Sequence, residues 1–174
     1  MTSSETVFLQ SSEWRHILRV YGQPGVAQAC LLLQDSLGVD VLVMLHLGYV
    51  CQQHGRALPQ SQIEAADALV RDWRNQVVRP LRAARRAIAK EDPATQPLRA
   101  AIQQAELAAE QHALAQLAMM PMAADGPPAA GARSPAQLVA AFYARRNACE
   151  QKLDPAEITQ AISLVELASA DTTA

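Results

Sequence analysis

Apolar positions recur three and four residues apart along most of this chain, and sustained alternation of apolar and polar residues is missing, so the pattern is that of helices. Trp14, Ile17, Leu18 and Tyr21 stand at i, i+3, i+4 and i+7. They form one face of a helix that Ser11 or Ser12 can cap, that runs to about Val20, and that Gly22 ends. A second helix is expected over PGVAQACLLLQD, with Pro24 in its first turn, where a missing N–H costs nothing. Gly38 breaks the chain, and Asp40 can cap a third helix, DVLVMLHLGYVCQQH, which stops at Gly55. The first part of that helix is apolar almost all round, which predicts a buried central position.

Ser61-Gln62-Ile63-Glu64 has the form of a capping box, and a helix follows through Leu69, Trp73 and Val77. Pro80 interrupts it, because proline disfavours the α conformation in the residue before it; the expectation is a kink near Val78 and Arg79 or a fresh helix at Pro80. Pro93 and Pro97 bracket a short link before an Ala- and Gln-rich fifth helix, Leu98 to Met119. The stretch PMAADGPPAAGARSP, residues 121–135, reads as a linker. Beyond it Ser134-Pro135 and Asp154-Pro155 are cap-then-proline starts of two short helices near 135–150 and 155–169. The predicted class is therefore all-α: a compact bundle of about five helices over residues 1–120, a 121–135 linker, and a helical C-terminal appendage over 136–174.

Composition agrees. Half of the 174 residues are hydrophobic, with Ala and Leu dominant, aromatics at 4% and only seven glycines. A chain of this length can bury about 70% of its unfolded surface without staples. Cys30, Cys51 and Cys149 make no paired framework, and the first residues, MTSSETVFLQSSEWR, lack the basic start and long apolar run of a signal peptide. The most apolar stretch, Val39 to Val50, carries His46 and falls short of the about 20 residues a spanning helix needs. A soluble, cytoplasmic protein with reduced thiols and no membrane contact is expected.

Charge changes the picture. Arg71 to Lys90 carries seven bases and one acid in a chain whose formal net charge is -2. On one continuous helix Arg71, Arg74, Arg79, Arg82, Arg85, Arg86 and Lys90 share one side, with Trp73, Val77, Leu81, Ala84 and Ile88 on the other. Such a face can hold an acidic protein, and these seven residues are the expected partner-binding set of a non-enzymatic interaction or regulatory protein. It can also be a solvated face whose arginines pair with Glu64, Asp67, Glu91 or acids on neighbouring helices. Nucleic acid is the alternative partner for the same face, although no zinc-finger spacing or RNP-like aromatic cluster accompanies it.

Other chemistry is thin. Cys51 and His54 could present two metal ligands on one face, with Cys30 near, but a zinc site needs three or four and no CxxC, HxxxH or HExxH occurs. Asp35 and Asp40 flank the turn LQDSLGVD; Asp40 is a helix cap, while Asp35 near a helix C-terminus calls for a basic partner such as Arg15 or an arginine of the 71–86 stretch. A Mg²⁺-dependent or small-molecule-binding all-α enzyme centred on Asp35 and Asp40 is the second alternative. No GxSxG elbow, P-loop or GxGxxG is present, so no catalytic residue, cofactor or metal is expected. Trp14 and Trp73 read as core anchors.

The run EWRHILRVYGQPGVAQACLLLQDSLGVDVLVMLHLGYV and the following DWRNQVVRPLRAARRAI resemble a family of small proteobacterial proteins known as a conserved domain of unknown function. The resemblance covers roughly residues 8–115 and rests on Trp14, Tyr21, Pro24-Gly25-Val26, Cys30-Leu31, Leu33-Gln34-Asp35, Gly38-Val39-Asp40 and Val78-Arg79-Pro80-Leu81-Arg82. It implies a helical cytoplasmic protein and brings no activity.

Overall fold

The computed structural model describes residues 11–122, 131–147 and 154–170. Every regular element among them is helical: α1 (Ser12–Tyr21), α2 (Val26–Leu37), α3 (Val41–His54), α4 (Gln60–Trp73), α5 (Arg79–Ala87), α6 (Gln96–Ala118), α7 (Pro135–Arg146) and α8 (Pro155–Ala170). One π-helical turn, Arg74–Val78, joins α4 to α5. The protein is all-α, as the hydrophobic spacing predicts.

Local chemistry sets most of the boundaries. The Ser11 hydroxyl accepts from the Trp14 N–H and starts α1. Asp40 Oδ1 accepts from the Leu42 and Val43 N–H groups and starts α3. Ser134 and Gln137 form a reciprocal capping box at α7. Gly38 ends α2 at φ 69°, a left-handed conformation that side chains disfavour.

Two starts differ from expectation. Pro24 lies ahead of α2 rather than in its first turn, because Gly25 takes φ 81° and serves as the N-cap. A Cβ at Gly25 would also come within 3.1 Å of Leu164 on α8, so a bare backbone suits the position twice over. The Ser61–Glu64 box does not form. Leu58 is buried and Pro59 presets φ at -74°, so Pro59 is the N-cap and α4 begins at Gln60, two residues early, and Gln60 instead donates to Glu64 at 2.8 Å.

At Pro80 the chain makes a π-helical turn and then starts α5 at Arg79, one residue before the proline. The Arg79 N–H bonds to the Arg74 carbonyl, five residues back. This wider turn relieves the clash that a proline ring makes with the carbonyl four residues before it, and the helix runs on. The extra residue breaks the 100° register, so Arg71 and Arg74 are rotated relative to the arginines of α5.

Helix α3 occupies the centre, with Val43, Met44, Leu45 and Leu47 buried and α1, α4, α6 and α7 packed around it. Helices α1 and α2 lean on α8, and α5 leans on α6. The two C-terminal helices share this core: Val139, Tyr143, Ile158 and Val165 are buried in the same cluster as Leu33, Leu47 and Leu117. Most of the expected linker, residues 123–130, and Cys149 lie outside the described residues. Among the described residues no single helix is long and apolar enough to cross a membrane; α2 and α3 pass only as a pair bent by 118°, and both contribute to the core.

Candidate functional site

Two groups of helices, α1 with α2 and α5 with α6, diverge above α3 and leave a cleft of about 580 Å³. Leu42 and Leu45 of the N-terminal part of α3, and Val39 just ahead of it, face it together with Val70, Ala113 and Leu114. On one wall α1 presents Trp14, Ile17, Leu18 and Tyr21, the stripe that the spacing predicts. Opposite, α5 presents Arg79, Arg82, Ala83 and Arg86, also at i, i+3, i+4 and i+7. An apolar wall thus faces a basic one.

Large apolar side chains remain open at this cleft: Leu18 is 53% exposed, Leu31 43%, Tyr21 41% and Leu107 40%. Single exposed leucines are ordinary, whereas several converging on one concavity mark a binding surface. Two polar bridges cross from α2 to α5, Arg82 Nη1 to Gln34 Oε1 at 2.5 Å and Arg86 to Asp35 at 4.0 Å. The second gives Asp35 one of the basic partners that its place near a helix C-terminus calls for.

The seven cations of the basic segment do not behave alike. Arg74 donates to Asp40 at 2.6 Å and to Asp67 at 2.9 Å, and its guanidinium stands 5.9 Å from the Tyr143 ring centroid. Burial opposes its charge, and the Asp40 carboxylate outweighs that and raises its pKa. Arg82 donates to Glu106 at 2.8 Å and Glu110 at 2.5 Å, and Arg85 to Glu106 at 2.5 Å. Arg71 pairs with Asp67 at 3.2 Å. Arg79 and Lys90 are exposed, and among the described residues no carboxylate pairs with either; Arg86 is exposed with only the 4.0 Å contact. The expected single solvent stripe is therefore reduced to Arg79, Arg86 and Lys90, because acids on α6 and at Asp40 and Asp67 engage the others, including Arg74, which also lines the cleft.

Sequence reasoning offers Asp67 only as one of several acids that could pair with the arginines; its place as a buried hub that also takes Tyr143 and Arg146 was not foreseen. Its side chain is wholly buried, Oδ1 accepting from Arg74 and from the Tyr143 hydroxyl at 2.8 Å, Oδ2 from Arg71 and Arg146. The signal was present: Asp67 sits on the apolar stripe Ile63, Ala66, Val70, where an unpaired carboxylate is too costly to bury. Also missed is the buried Glu13–His46 pair, 2.6 Å, which ties α1 to α3.

Chemistry beyond binding finds little at the cleft. Cys30 borders it, but burial pushes its thiol up to about 11, far from the thiolate a nucleophile needs. Asp40 has Oδ1 on backbone N–H groups and Oδ2 on Arg74. Among the described residues no three His, Cys, Asp or Glu side chains gather as a metal site, and Cys30, Cys51 and His54 form no such group. Burial raises the pKa of Glu110 at the cleft edge, and Arg82 opposes it only in part. The chain matches no curated protein and no solved structure. The sequence model of a family described as a protein of unknown function, DUF2390, matches residues 12–117, more than half of the chain and nearly the span of the resemblance seen in its motifs, and the chain belongs to that family.

Proposed function

We propose that this is a non-enzymatic interaction protein that holds an acidic protein partner in the cleft between α1 and α5. The observation that carries the reading is the coincidence, at one concavity, of four exposed large apolar side chains with Arg79 and Arg86. Apolar burial supplies affinity, and the two rim cations supply orientation and partner choice. Nucleic acid fits less well, since Arg74, Arg82 and Arg85 are held by internal carboxylates and too few cations remain for a run of phosphates.

A photo-reactive amino acid placed at Leu31, with Leu69 as a control position on another exposed site, tests this in cells. The reading expects a protein adduct of acidic composition at Leu31 that is absent at Leu69 and lost in Arg79→Glu/Arg86→Glu. No adduct at Leu31, or adducts indifferent to the charge reversal, refutes it.

A further inference from the structure

The two walls of the cleft have the same repeat. Trp14, Ile17, Leu18 and Tyr21 cover two turns of α1, and Arg79, Arg82, Ala83 and Arg86 cover two turns of α5. Seven residues of helix advance about 10.5 Å, so Arg79 and Arg86 are about that far apart along α5 and lie on the same side of it. Between them Arg82 is held by Glu106, Glu110 and Gln34 and offers nothing to a visitor. The basic wall is thus two separated charges rather than a continuous stripe. Asp35 stands on the opposite, α2 side, so an acidic flank is attracted only towards α5.

Resting on the acidic-partner reading, we propose that the occupant is an amphipathic α-helix of the partner. It lays an apolar ridge of two turns along α1 and Leu31, and presents two carboxylates seven residues apart to Arg79 and Arg86. A helix reproduces the spacing of the two arginines with side chains at i and i+7, while carboxylates at i and i+4 reach only about 6 Å along the axis. The cleft shape agrees: it is a trough between helices with an apolar floor, the geometry in which amphipathic helices are held by i, i+3, i+4 and i+7 anchors. Binding opens both bridges that cross the cleft: Arg86 leaves its 4.0 Å contact with Asp35, a weak half-exposed pair whose loss costs little, and Arg82 parts from Gln34 while Glu106 and Glu110 keep it paired.

Three fluorescent synthetic helices of about 20 residues test the register against the full-length chain. All carry the same leucine ridge; the first has two glutamates at i and i+7 on one flank, the second has them at i and i+4, and the third has lysines at i and i+7. Anisotropy titration is expected to rank the first at least about tenfold above the other two. Arg79→Glu/Arg86→Glu, at two exposed positions, is expected to transfer that preference to the lysine helix; circular dichroism checks that the variant is folded. Equal binding of the first two helices, lost on Leu31→Glu and weakened by the charge reversal, overturns the register while leaving the acidic-partner reading in place. If no helix binds, but dodecanoate does and quenches Trp14 in a Trp73→Phe background, the cleft serves a small amphiphile and both are overturned. Binding of neither overturns the inference.

Discussion

Asp67→Asn removes one negative charge from the centre of four donors while keeping the side-chain shape. The wild-type carboxylate is fully buried and receives Arg71, Arg74, Arg146 and the Tyr143 hydroxyl. With the charge gone, Arg74, whose side chain is 14% exposed, retains only Asp40 as a charged partner, and its Nε is already buried without one. Breaking a buried pair in this way costs about 3–5 kcal/mol, a large part of the roughly 5–15 kcal/mol that holds a domain together. Arg146→Gln touches the same carboxylate from a side chain that is a third exposed, so about 1 kcal/mol or less is expected. Tyr143→Phe loses the bond its hydroxyl donates to Asp67 and the longer one it accepts from Arg74, about 1–2 kcal/mol in all. Urea unfolding followed by circular dichroism measures all three. Hydrogen exchange in α7 is expected to accelerate most in Asp67→Asn, since α4 holds Tyr143 and Arg146 through this residue. An Asp67→Asn cost under about 1 kcal/mol, or one no larger than that of Arg146→Gln, would refute the reasoning, because the hub would then behave as a surface ion pair.

Further expectations concern backbone, acid and thiols. Gly38→Ala forces an alanine to φ 69° and drives its Cβ into the Asn147 amide, which donates to the Leu37 carbonyl at 2.8 Å; a loss of about 1–2 kcal/mol in thermal unfolding is expected, and a neutral result would contradict the strain. Burial raises the Glu106 pKa, but hydrogen bonds from Arg85 and Arg82 outweigh it and hold the pKa below the ordinary 4.5, so its stabilisation is complete above that value and is lost as pH falls through the lowered one. Glu110 is raised instead, so the folded chain takes up that proton first and stability rises as pH falls towards 4.5 from above. Denaturant unfolding between about pH 7 and about pH 3 is therefore expected to show a shallower acid loss in Glu106→Gln and no rise above the ordinary value in Glu110→Gln; identical profiles for both variants and wild type would refute the assignment. Burial pushes Cys30 and Cys51 up to about 11, so a Cys149→Ser variant is expected to show no fast reaction with a thiol reagent near pH 8 until it is unfolded, and a prompt reaction at either thiol would show the site is open.

What was legible in the chain follows from the range of the forces involved. Caps are local, so Ser11, Asp40, Ser134 and Gly38 marked their helix ends in sequence. The Trp14 to Tyr21 stripe was equally plain, since its spacing needs no knowledge of the partner surface. Glu106 and Glu110 lie more than twenty residues from Arg82, and only the fold brings them together. A wheel drawn on one ideal helix could not foresee the π turn either, because that turn is the structural answer to Pro80. Trp73, read as a core anchor, is half-buried and donates its indole N–H to the Ala109 carbonyl at 2.9 Å, beside His112.

The π turn also links the fold to the cleft. By adding one residue between Trp73 and Arg79 it lets Arg74 turn inward to Asp40 and Asp67, closing the hub, while α5 restarts with Arg79 and Arg86 on the cleft side. A straight α-helix through this segment would keep Arg74 nearer the stripe of Arg82 and Arg85 and away from Asp40, whose ion pair it makes. Pro80 makes that straight course costly by its missing N–H and its ring. The same residue that breaks the ideal helix therefore separates the arginines into one that holds the core and two that face outward, and it is this division that gives the cleft a basic wall with free charge on it.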